Sequence, residues 1–205
     1  MIGAIGWTMV VLAVGVVVVR RRSTAIGLVT LQALMLAALE LFNASNRSSE
    51  YLLSGLALLA KAVFIAVVLG WSVLRTRQDR PILEDSASPV RLLIAVLGAL
   101  SIVALLPLGG LSSTAVERAT IACVVVGIFI LVLRKATLFQ VLGLLVAENG
   151  VAFAATAIRG GMPIVIDLGV IFDIFVLLAV ATALHEGIFH QFGTGDASVL
   201  RDLRD

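Results

Sequence analysis

Glu148, in the run Leu144-Leu145-Val146-Ala147-Glu148-Asn149-Gly150, and Asp173, in Gly169-Val170-Ile171-Phe172-Asp173-Ile174-Phe175, are carboxylic acids set inside long apolar stretches. A carboxylate at the bilayer centre costs about 2.5–3.5 kcal/mol on insertion scales, so an acid kept there faces a protein interior or a water path and marks ion or proton handling. Lys61 falls at a similar depth of its own apolar stretch, which puts an acid, an acid and a base in one layer. That combination suits a proton relay. Glu40 lies toward one end of an apolar stretch, and His185 and Glu186 lie toward the opposite end of another, so the six positions can form a ladder across a membrane. Histidine titrates near neutrality, which suits His185 to exchange with bulk water.

Each group also has a structural reading. Glu148 and Asp173 can lock a bundle by pairing with Lys61 or with hydroxyls, and one lysine can neutralise one carboxylate statically. Glu40 and Asp167 sit near interfaces, where water is in reach; Asp167 follows Pro163 by one turn and fits dipole stabilisation of a helix start. His185 and Glu186 can snorkel at a membrane boundary. Spacing alone does not say which of these helices are neighbours.

The elements that must position these groups follow from composition. With 60% hydrophobic residues, 14% charged residues and a mean hydropathy of +1.13, the chain carries too much apolar surface for a water-soluble globule and reads as an integral membrane protein. Cys123 is its single cysteine, which excludes a disulfide framework and a thiolate metal site, and His185 and His190 lack further ligands at a metal spacing. The net charge is only +2 and the basic residues are divided among short loops, so no nucleic-acid-binding face is expected.

Seven segments are long enough to cross about 30 Å of hydrocarbon as helices. They fall near 2–19, 24–42, 52–74, 89–107, 114–133, 138–158 and 163–189. The first lacks a preceding basic stretch and a small-residue cleavage site and is followed by Arg20-Arg21-Arg22, so it reads as a retained span. Eleven of the fifteen Lys and Arg residues fall on one side of this arrangement, in the 20–22, 75–91, 134–135 and 201–204 regions, and Arg47, Arg118 and Arg159 on the other. The positive-inside rule then places the N-terminus outside and the C-terminus in the cytoplasm, in a multi-pass protein of the cell's inner membrane.

Ser88-Pro89 predicts a helix start, and Thr114-x-x-Glu117 fits a capping box that gives Glu117 a structural role. The longest connector is 76–88, and 193–205 is a polar tail with no core of its own. Gly143 and Gly150 flank Glu148, which permits either close helix packing or a local π-bulge that turns the carboxyl between partners.

The run Arg134-Lys135-Ala136-Thr137-Leu138-Phe139-Gln140-Val141-Leu142-Gly143-Leu144-Leu145, followed by Glu148-Asn149-Gly150, resembles the K-type membrane subunit of respiratory complex I and the C-type subunit of multisubunit cation/proton antiporters. With the helices in front of it and the tail Asp196-Ala197-Ser198-Val199-Leu200-Arg201-Asp202-Leu203, the whole chain resembles component E of hydrogenase-4. The resemblance implies a four-helix part over 1–108, a K-type-like three-helix part over 109–192 and a cytoplasmic tail over 193–205. It departs at Leu145, where the K-type pattern has its glutamate; the acid comes three residues later at Glu148, nearly one turn on and roughly on the same face. Asp173 falls near the glutamate of the family's third helix.

The resemblance implies that Glu148 and Asp173 are carriers in a hydrophilic axis of a proton-pumping assembly, beside antiporter-like and complex-I-like membrane subunits and peripheral hydrogenase subunits. No redox cofactor is expected in this chain; a nickel-iron centre and iron-sulfur clusters are implied for the partner subunits. Lys61 and Glu40 lie outside the closest match and rest on depth alone. Three other classes compete. A self-contained transporter predicts internal repeats, of which only weak echoes are present. A retinal-type pump needs a lysine on the last span, which has none. A passive anchor needs only static pairing of the acids.

Overall fold

The computed structural model describes residues 2–44, 49–76, 88–106, 113–157 and Phe175. These residues form six helices: α1 Ile2–Val18, α2 Arg22–Ala44, α3 Ser49–Thr76, α4 Ser88–Leu105, α5 Thr114–Leu133 and α6 Thr137–Ala157. The described part of the protein is all-helical, and four helical stretches within it, Arg22–Asn43, Leu52–Trp71, Thr114–Leu133 and Thr137–Ala157, are long and apolar enough to cross a membrane. Ile2–Val18 and Leu92–Leu105 are shorter apolar helices. The segment expected as the seventh span lies outside the described residues apart from Phe175.

Contacts between helices fix the relative direction of several of them. The first turns of α1 and α5 meet at Gly3 and Ala115 and again at Gly6 and Ala119. At their other ends Arg134 Nη2, just past α5, donates to Val19 O, just past α1. These two helices are therefore parallel. Helices α2 and α6 are also parallel, because Gln32 meets Asn149 and, further along both, Glu40 meets Thr156. Helices α5 and α6 form an antiparallel pair in which Gly143 faces Leu131 and Gly150 faces Cys123.

The turn between α5 and α6 is built by side chains that close off orphan carbonyls. Arg134 leaves the helical conformation at φ −94°, ψ 129°, and its N–H still reaches Ile130 O. Gln140 Nε2 donates back to Arg134 O at 3.2 Å, and the Arg134 guanidinium lies 3.9 Å from the centre of the Phe139 ring. At the opposite end of α5 the cap lies one residue before the expected position. Ser113 is the N-cap, and its Oγ accepts from Val116 N at 3.4 Å. The third helical position is then Val116, so Glu117 lies one place beyond the capping-box position and is an acidic residue of the first turn, where a negative charge suits the positive end of the helix.

Polarity is distributed inside out. The outer faces carry Val11, Val63, Val67 and Val132, each more than half exposed, while Gln32 and Asn149 are fully buried. In water this would be costly twice over. In a bilayer it is the expected arrangement, because lipid solvates the apolar rim and buried polar groups find one another.

Candidate functional site

Near the middle of their helices, four elements bring polar side chains to one point. Lys61 reaches in from α3 and Glu148 and Asn149 from α6, with Gln32 on α2 and Cys123 on α5 behind them. Lys61 Nζ is 2.5 Å from Glu148 Oε2 and donates to Asn149 Oδ1 at 3.2 Å. Asn149 Nδ2 donates to Gln32 Oε1 at 3.1 Å. Gln32 Nε2 donates in turn to the carbonyl of Met9 on α1 at 3.0 Å and to Cys123 Sγ at 3.2 Å. The thiol donates to Val146 O at 3.6 Å. One connected line of polar groups thus crosses the bundle from α3 to α1 and α5.

The local sequence explains why these groups converge. Glu148 and Asn149 are adjacent on α6, about 100° apart around the helix, so one lysine between α3 and α6 reaches both. Close approach of α5 and α6 comes from facing glycines. A Cβ on Gly127 would lie 2.5 Å from Ala147 N, and one on Gly143 would lie 2.7 Å from Gly127 O. Helix α6 stays a regular α-helix through Glu148, so of the two uses expected for Gly143 and Gly150 the structure shows the close packing and no π-bulge.

Lys61 is 1% exposed, and its four methylenes run through the interior to place one ammonium against one carboxylate. The lysine has three donors and no acceptor, and the partners present, a carboxylate and an amide oxygen, are both acceptors. Chemically the pair can exchange one proton: Lys61 ammonium and Glu148 carboxylate become amine and carboxylic acid with no net movement of charge out of the site.

The other expected residues fall as follows. Glu40 does not join Lys61; it forms a second polar point along α2, where Thr156 Oγ1 donates to Glu40 Oε1 at 2.6 Å and also lies 3.0 Å from Ala152 O. Asp173, His185, Asp167 and Glu186 lie outside the described residues. Phe175, two residues beyond Asp173 in sequence, packs its ring on Phe64 with centroids 4.0 Å apart, and Phe64 follows Lys61 by three residues on α3.

Gln32, Cys123 and Thr156 were not singled out by sequence. A lone glutamine or threonine in an apolar span is a weak signal, because a single neutral polar group is tolerated in a helix bundle. Gln32 and Asn149 become informative only as a pair.

No family model matches the chain, and neither does any solved structure. The uncharacterized protein Rv0085 of Mycobacterium tuberculosis (strain ATCC 25618 / H37Rv) is 30% identical over 209 residues, which span 95% of this chain and 92% of that protein. Likeness of that extent, from one end of both proteins to the other, places this chain in the same family as Rv0085.

Proposed function

We propose that the chain is a seven-span subunit of the inner membrane, N-terminus outside and C-terminus cytoplasmic, that moves protons within a hydrogenase- or complex-I-like assembly. The observation that carries this reading is the Lys61–Glu148 pair: an acid and a base in contact at mid-helix, far from either helix end, the lysine buried and the glutamate partly buried. A static brace between two helices is obtained more cheaply with apolar packing, since removing two charges from water costs several kcal/mol per ion. A pair that trades a proton has a use for that arrangement.

In this reading Glu148 and Lys61 are the central station, Asp173 joins them from the seventh span, and Glu40 and His185 serve the two membrane faces. The Phe64–Phe175 contact supports the place of Asp173, because it brings the chain to α3 one turn from Lys61. Redox chemistry, with its nickel-iron and iron-sulfur centres, belongs to partner subunits. Antiporter-like membrane subunits are the expected neighbours.

The test is proton uptake by vesicles holding the intact assembly. Glu148→Gln with Asp173→Asn is expected to leave the complex assembled and to slow uptake about a hundredfold, the usual range for losing a positioned proton-transfer group. Glu148→Asp keeps partial activity. Normal uptake by the double variant makes the chain a passive anchor. Sodium-dependent uptake in place of proton uptake makes it a subunit of a cation/proton antiporter.

Topology is tested separately. Reporter fusions in the 75–91 loop and at the C-terminus are both expected to report the cytoplasm; opposite sides for the two would remove the seven-span arrangement.

A further inference from the structure

Among the described residues the polar contacts of Lys61 form two branches of different chemistry. One ends on Glu148, a group that takes up and releases protons. The other passes through two amides, Asn149 and Gln32, to the Met9 carbonyl and the Cys123 thiol. A carboxamide neither gains nor loses a proton under conditions where a carboxylate does. The second branch therefore holds and does not conduct.

We propose that Gln32 is a positioning residue that fixes the polarity of this amide branch, so that the carbonyl oxygen of Asn149 faces the Lys61 ammonium and, among the described residues, the lysine proton leaves through Glu148 and not through the amides. The part concerning the proton rests on the function proposed above; the polarity does not.

Both ends of the branch impose the same direction. An ammonium only donates, so Asn149 must turn Oδ1 toward Lys61 and Nδ2 away. A backbone carbonyl only accepts, so Gln32 must turn Nε2 toward Met9 and Oε1 away. Those two demands meet in the single bond from Asn149 Nδ2 to Gln32 Oε1, 3.1 Å long. Turning either amide over would set oxygen against oxygen or N–H against N–H at a fully buried contact, with no water to relieve it. Met9 O is the anchor because it belongs to the backbone of α1 and cannot turn.

Gln32 has a second amide proton, and it goes to Cys123 Sγ. The thiol therefore accepts from Gln32 and gives its own proton to Val146 O. With the amide inverted, Sγ would face Oε1 and donate to it. Cys123 thus reports the direction of the branch.

The chain offers clean probes for this. It holds one cysteine, so the S–H stretching band has one source, and its lysines are Lys61 and Lys135, one buried and one exposed. Gln32→Met keeps an unbranched side chain of similar volume and removes both the donor and the acceptor. In folded Gln32→Met protein the S–H band is expected to move, because Sγ loses its N–H donor, and the 15Nζ signal of Lys61 is expected to move, because Asn149 Nδ2 loses the acceptor that holds the amide in place against the lysine. A side chain that merely filled space would leave both in place, so either signal staying at its wild-type position overturns the proposal.

Should Gln32→Met not fold, the unaltered chain decides the point. With asparagine labelled at 15Nδ2 and glutamine at 13Cδ, transfer between Asn149 and Gln32 is expected, and its absence overturns the assignment of direction. Normal proton uptake by the Glu148→Gln, Asp173→Asn variant would remove the routing role while leaving these two signals as an independent test of polarity.

Discussion

Lys61→Met is expected to destabilise the folded protein by about 3–5 kcal/mol, the range observed when one partner of a buried ion pair is removed. The cost does not come from the lost methylenes, because methionine replaces most of them. It comes from Glu148, whose Oε2 has Lys61 Nζ at 2.5 Å and would keep a carboxyl in the bundle interior with its counter-charge gone. Asn149 Oδ1 loses its donor in the same step. The paired change Lys61→Met with Glu148→Leu removes both charges together and is expected to recover most of the loss, since replacing a buried pair by apolar groups is often neutral or stabilising. Denaturant unfolding of the wild-type protein, the paired variant and the two single variants Lys61→Met and Glu148→Leu in the same lipid-detergent micelles gives the coupling energy. Equal stability of the single and paired variants would mean that Lys61 and Glu148 do not depend on one another.

Gly143→Val should do comparable damage for a different reason. The added Cβ would lie 2.6 Å from Leu131 N and 2.7 Å from Gly127 O, and these are backbone atoms that cannot rotate out of the way. Helices α5 and α6 must move apart, and overpacking of this kind costs about 1–3 kcal/mol or more. Separation also carries Val146 O away from Cys123 and tilts the face of α6 that bears Glu148 and Asn149. Gly27→Ala and Gly70→Ala are the matched controls: a Cβ at either position meets nothing within 4 Å among the described residues, and losing a helical glycine is worth about 0.5–1 kcal/mol of stability. The yield of folded protein and its unfolding midpoint distinguish the two classes. A Gly143→Val protein as stable as the Gly27→Ala protein would show that the α5–α6 approach is slack.

Class and helix placement were determined by the sequence on its own. An apolar chain in lipid has to satisfy every backbone N–H and C=O internally, so runs of about 20 apolar residues become helices whatever surrounds them. That is why the six described helices lie close to the stretches read from hydropathy. The exact start of α5 was less legible, because Ser113 and Thr114 are both good caps and only the backbone geometry selects the first. Glu148 and Lys61 stood out as well, since a charge in an apolar run is rare enough to be a signal alone. Glu40 was legible as a residue and not as a location, for depth says nothing of neighbours.

What only the tertiary structure decided is who meets whom. Parallel packing of α2 on α6 brings Gln32 to Asn149 and Glu40 to Thr156, and facing glycines on α5 and α6 bring Cys123 within reach of the same point. Helical periodicity gives the face of a residue on its own helix and leaves open which helix lies opposite. That choice is made by the shapes of whole surfaces, by where two glycines let backbones touch, and by the need of each buried donor to find an acceptor. Gln32 therefore carries no signal in the linear chain and is the junction of four helices once it has folded.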